Sequence, residues 1–111
     1  MELEIYQDRK FKDYHIEQLR DPEDAKICLS VALEDYEKNE DIDAFLLAVR
    51  DVAEAQGGIS KLAERLSLTD EGLHKVLSEN GNPQLNTIRK ILHELGFKLS
   101  IESRKNRPQA V

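Results

Sequence analysis

Cysteine is almost missing from this 111-residue chain, which has Cys28 and no other. A single thiol excludes an internal disulfide and any cysteine-rich zinc site, and it suits a reducing compartment, so a cytoplasmic location is expected. The chain also lacks a run of about eighteen apolar residues and a basic-then-apolar leader, so neither membrane insertion nor secretion is predicted. It has no internal repeat, no low-complexity tract and no glycine-rich phosphate loop. His15, His74 and His93 share no ligand spacing. His93-Glu94 begins a zinc-protease pattern, but Phe97 stands where the second histidine belongs. No acid–base pair stands out. The expectation is a protein that is not an enzyme and uses no metal or cofactor.

What the chain has is charge. Charged residues make up 34% and apolar residues 40%, enough for one small core plus an extension. The net charge of −6 is unevenly spread. Residues 1–56 hold 16 acidic and 7 basic side chains, a balance of −9, whereas residues 57–111 hold 6 and 9, a balance of +3. An acidic half beside a mildly basic half predicts two partners of opposite character. A balance of +3 attracts phosphates only weakly, so useful nucleic-acid affinity would require a dimer.

Met1–Tyr6 alternates and predicts a short strand, and Tyr14–Arg20 predicts one or two helical turns. A clearer helix start follows, with Asp21 as N-cap, Pro22 at the first position and Glu23 and Asp24 in the first turn. Ala25, Cys28, Leu29, Ala32, Leu33 and Tyr36 form an apolar stripe that carries this helix to about Glu37, with Cys28 as a small core hydrophobe. Asp41 caps the next helix, in which Ile42, Phe45, Leu46, Val49, Val52 and Ala53 recur at helical spacing before Gly57-Gly58 ends it.

The stretch Gly58–Asn82 reads as two short helices joined by a tight turn. Leu62 and Leu66 lie one turn apart on the first helix, Leu68 is expected to plug the turn, and Leu73 and Val76 face back from the second. Ala63 is small where the helices cross steeply. Gly81 and Asn82-Pro83 predict a stiff loop. Leu85, Ile88, Ile91, Leu92 and Leu95 mark a last helix closed by Gly96, and Phe97, Leu99 and Ile101 alternate as a strand over 97–102. A lone strand needs a partner: residues 2–6, its copy across a dimer axis, or another protein. The tail from Ser103 reads as disordered. Residues 41–96 thus predict four helices of about 16, 8, 9 and 11 residues.

These segments resemble a family. The four-helix unit is similar to the lambda-repressor-like, or XRE-type, helix-turn-helix. More narrowly, the run Ala44–Ala53, then Gly57–Ala63, Leu77–Pro83 and Leu95–Leu99, with Asp21–Ala25 upstream, resembles the addiction-module antidote proteins, HigA-like antitoxins of type II toxin–antitoxin systems, over about residues 12–101. The fold class expected is all-α: a lambda-repressor-like helix-turn-helix bundle (41–96), an N-terminal helical extension (1–40) for dimer or toxin contact, and a short C-terminal β-strand with tail (97–111). The resemblance implies a homodimer that binds double-stranded operator DNA, represses its own operon and neutralises a cognate small basic toxin protein of the HigB/RelE-like ribonuclease class. Two departures bear on this. Ile59 stands where many repressors of the broader family place a phosphate-contacting glutamine, although the narrower antitoxin family resembles this chain in having an apolar residue there, and Ser67 replaces the usual turn glycine.

On the second helix of the pair, Thr69, Asp70, Glu71, His74, Lys75 and Ser78 remain outward, the positions that face bases in a major groove. Lys75 can donate to guanine O6/N7, Glu71 can accept from cytosine N4, and His74 can donate to a base or phosphate. Acidic residues at a helix start are also what the helix dipole favours alone. Ser60, Lys61, Asn82, Asn86, Thr87 and Arg89 lie near flanking helix starts, where they can clamp phosphates; Arg89 serves equally as plain surface charge. Gly72 inside the helix costs on the order of 1 kcal/mol, and either lets the DNA backbone approach or is simply tolerated. The acidic helix 22–38 is a toxin-facing surface or a solvated face. Two alternatives remain: a stand-alone or phage-type repressor, and an interaction module that has lost DNA binding, which the acidic Asp70-Glu71 favours.

Overall fold

The computed structural model describes residues 9–78 and 82–104, without the side chains of Arg9 and Lys10. Among the described residues six helices follow in order: α1 Arg9–Gln18, α2 Pro22–Asn39, α3 Ile42–Ala55, α4 Ile59–Arg65, α5 Asp70–Val76 and α6 Leu85–Glu94. The strand expected at Met1–Tyr6 lies outside the described residues.

Local chemistry places most of the boundaries. The Asp21 carboxylate accepts the Glu23 N–H at 2.8 Å at the start of α2, and Asp41 accepts the Asp43 N–H at 3.0 Å at the start of α3. Each satisfies an amide that the helix itself leaves open. Glu40 ends α2 in the left-handed region (φ 58°), so the chain reverses within two residues into α3. After α3, Gly57 (φ 123°) and Gly58 (φ 100°) take conformations that side chains rarely adopt.

The core is one cluster around α3. Phe45, Leu46, Val49, Val52 and Ala53 of α3 meet Leu19, Ala25 and Leu29 from the N-terminal side. The same cluster takes in Leu62 and Ala63 of α4, Leu73 of α5 with Leu77 just after it, and Ile88, Ile91 and Leu92 of α6. Each large side chain buried here contributes about 1.5–3 kcal/mol. α3 packs against α1, α2 and α4, and α4 in turn against α5 and α6.

The structure departs from the sequence-based expectations at several places. α1 starts at Arg9, well before the turn expected from Tyr14. α4 and α5 have seven residues each, shorter than the eight and nine expected. Leu68 does not plug the turn; it is 39% exposed. Its backbone is what matters, since its N–H reaches the Ala63 carbonyl at 2.8 Å while Ser67, at φ 59°, donates to Glu64. That pair of bonds is the Schellman ending, with serine in the place glycine usually fills, and it turns the Leu68 side chain outward. Leu33, placed on the buried stripe of α2, sits at its edge and is also 39% exposed.

The C-terminal strand expected over 97–102 is not formed. The described residues contain no strand, and 97–104 run without regular structure. Phe97 closes α6 by donating to the Leu92 carbonyl at 2.8 Å behind Gly96 (φ 94°), and it packs on the core. Beyond it, Leu99 and Ile101 are exposed, the latter 99%. A period-two pattern without a neighbouring strand has no ladder to join.

Candidate functional site

α5 is presented from the turn upward. The Thr69 hydroxyl accepts the Gly72 N–H at 2.9 Å, and Asp70 and Glu71 occupy the first turn, where the helix dipole favours carboxylates. Leu73 and Leu77 are fully buried and Val76 packs against the core, so one side of the helix is committed inward. Glu71, His74 and Lys75 are exposed on the other side. Among the described residues none of these three side chains makes a hydrogen bond or ion pair.

The remaining base-facing candidates are engaged within the chain. Asp70 Oδ2 accepts from Ser60 Oγ at 2.5 Å, which joins the first turn of α4 to the first turn of α5. Thr69 is used as the cap. Ser78 is half-buried and its Oγ donates to the Lys75 carbonyl at 2.7 Å. Of the phosphate candidates, Lys61, Asn82, Asn86 and Arg89 are exposed, Thr87 is half-buried, and Ser60 is exposed but paired with Asp70. Because α4 packs against both α5 and α6, the helices carrying these two sets share one support.

Gly72 has a local explanation that the sequence did not reveal. A Cβ built there would lie 3.1 Å from Thr69 Oγ1, so a side chain would press on the cap itself. The glycine protects the start of α5.

Further contacts between the helices escaped the sequence reading. Arg50 Nη2 donates to the Leu77 carbonyl at 3.1 Å, fastening the middle of α3 to the end of α5, while its buried Nε has no partner among the described residues. Asp51 is only 2% exposed, and its Oδ2 lies 3.6 Å from His15 Nε2 on α1. The His15 ring stacks on Phe11 with centroids 6.4 Å apart. Gln56 Nε2 donates to the Leu19 and Arg20 carbonyls at 2.8 and 3.2 Å, holding the α1–α2 connection. The available signal was the charged pair Arg50-Asp51 inside the apolar run 44–53, since charge there requires partners. Cys28 is half-buried; burial pushes its thiol pKa up and the Asp51 carboxylate pushes it the same way. Among the described residues, no three His, Cys, Asp or Glu side chains gather as a metal site, and no helix is long and apolar enough to cross a membrane.

Together these features define a small protein whose described residues are all-helical and whose helix α5 leaves one side exposed. The chain belongs to the family described as probable addiction module antidote protein, which it matches over residues 10–103. It is also similar to an uncharacterized protein of Haemophilus influenzae, 29% identical over 94 residues that cover 84% of this chain and 92% of the relative. No solved structure matches it. Family membership supports an antitoxin role, with a toxin as the implied partner and a regulatory rather than an enzymatic task. The antidote family inferred from the motifs in Ala44–Leu99 is the family found.

Proposed function

We propose that this antitoxin acts through two partners, operator DNA and its toxin. α4 and α5 form a lambda-repressor-like helix-turn-helix of the XRE type, and a homodimer places two copies of α5 in successive major grooves of an operator in its own promoter. The same protein, HigA-like, neutralises a small basic ribonuclease toxin of the HigB/RelE-like class encoded beside it. Residues 41–96 serve the DNA, and residues 1–40 serve protein contact.

One observation carries the DNA reading: burial of Leu73 and Leu77 leaves Glu71, His74 and Lys75 together on the exposed side of α5, uncommitted to other groups of the described chain. Lys75 supplies a donor for guanine O6/N7, Glu71 an acceptor for cytosine N4, and His74 a donor for a base or phosphate. Lys61, Asn82, Asn86, Thr87 and Arg89 set the register on the backbone. Ser60 and Asp70, each holding the other, position α5 rather than read sequence.

Replacing Lys75 by alanine is expected to weaken binding to the DNA upstream of the chain's own gene by about 1–3 kcal/mol in mobility-shift titrations, with folding unchanged. A footprint identical to wild type would count against DNA recognition by α5. That outcome would favour an interaction module that has lost DNA binding, the reading supported by Asp70-Glu71 at the start of α5 and a net charge of −6. A stand-alone or phage-type repressor is distinguished by a gene neighbourhood without a toxin.

A further inference from the structure

α2 has a second apolar side that the core does not use. Ala25 and Leu29 are buried, and Cys28 and Ala32 pack partly against the core. Ile27 and Val31, one turn apart on the solvent side, are 57% and 53% exposed. Both are β-branched and therefore stiff, so a partner that covers them orders little that was free. Exposed Glu23, Asp24, Glu34 and Asp35 stand on the same helix, whose eighteen residues carry five acidic and two basic side chains. An apolar centre within a charged rim has the composition of an interface rather than of a plain solvated helix.

The sign of the rim selects the occupant. A second copy of this chain would bring the same carboxylates against these, and nucleic acid or an anionic membrane would be repelled as well. A basic protein with an apolar contact at its centre gains from both features. Resting on the toxin-partner reading above, we propose that the outer face of α2, centred on Ile27 and Val31, is where the toxin seats. The acidic rim draws the basic partner in and the two aliphatic side chains hold it. α2 packs on α3 and α5 packs on α4, so the toxin and the DNA use different side chains.

The test titrates the protein encoded by the adjacent reading frame against full-length wild type and the double variant Ile27→Gln, Val31→Gln. Glutamine is a good helix former, and both sites are exposed. The double variant is expected to bind at least about tenfold more weakly, with its circular dichroism and operator binding unchanged. A second variant, Glu34→Gln with Asp35→Asn, is expected to slow association and flatten its salt dependence while dissociation changes little. Wild-type affinity in the double variant would overturn this seat and leave the toxin partnership intact. Conversion of a wild-type dimer into a monomer by the double variant would assign the face to a second copy, and so overturn the proposal. A wild-type chain that fails to bind the adjacent gene's product would remove the toxin partner and this seat together.

Discussion

α2 and α3 run eighteen and fourteen residues and are each capped by an aspartate side chain, whereas α4 and α5 run seven each. Isolated helices shorter than about 12–15 residues are marginal in water. The short pair therefore owes its shape to what it is packed on, and the exposed side of α5 is supported by the long helices. A surface proposed to read DNA is built on a core that the N-terminal half helps to close.

The first way to break that comparison is Leu73→Ala. Removing a fully buried leucine from the short pair is expected to cost about 2–5 kcal/mol in urea denaturation. The loss is expected as a single transition seen alike by probes in α2 and in α5. Two separable transitions would show that the long helices stand without the short ones.

Arg50→Ala is the next largest. It leaves the Leu77 carbonyl without its donor and is expected to cost about 1–3 kcal/mol in stability, with weaker operator binding as the end of α5 loosens. A variant with unchanged denaturation would mean that the fastening between the two regions contributes nothing.

Ser67→Gly tests the turn inside the short pair. Relief of the left-handed serine (φ 59°) outweighs the added freedom of the unfolded chain, and the melting temperature is expected to rise with a gain of about 0.5–1 kcal/mol.

The smallest effect lies in the long-helix region, at Cys28. Its thiol pKa is raised by burial and then by Asp51, so the stability linked to it is present below the ordinary thiol pKa and is lost as pH climbs through the folded-state value. Thiolate absorbance is expected to appear at higher pH in the folded protein than in the denatured chain. Coincident titration curves would refute the shift.

What was legible in the sequence was chemistry that acts over a few residues. Asp21 with Pro22, Asp41 and Gly57-Gly58 each fix a boundary through groups only a few residues away, and all behave as read. The periodicity of Phe45, Leu46, Val49 and Val52 found the wall of the core. What was not legible is contact between residues far apart in the chain. Arg50 meets Leu77 across 27 positions and Gln56 meets Leu19 across 37, pairings that exist only once the helices are stacked. The alternation at Phe97–Ile101 failed for a related reason: a strand is a property of two segments, and the described chain provides one. At the candidate site, side-chain type identified which residues face outward on α5. It did not show that Ser60 donates to Asp70, because that depends on where α4 sits.

α3 packs on α1, α2 and α4 and is fastened by Arg50 to the end of α5, and this matters for genetics. Substitutions on the outer side of α2 or on the outer side of α5 are expected to alter one phenotype at a time, either toxicity or promoter output. Changes at Arg50 or Asp51 sit on the beam between them. Such alleles should register in both screens, and any influence that passes along that beam must be equal in the two directions.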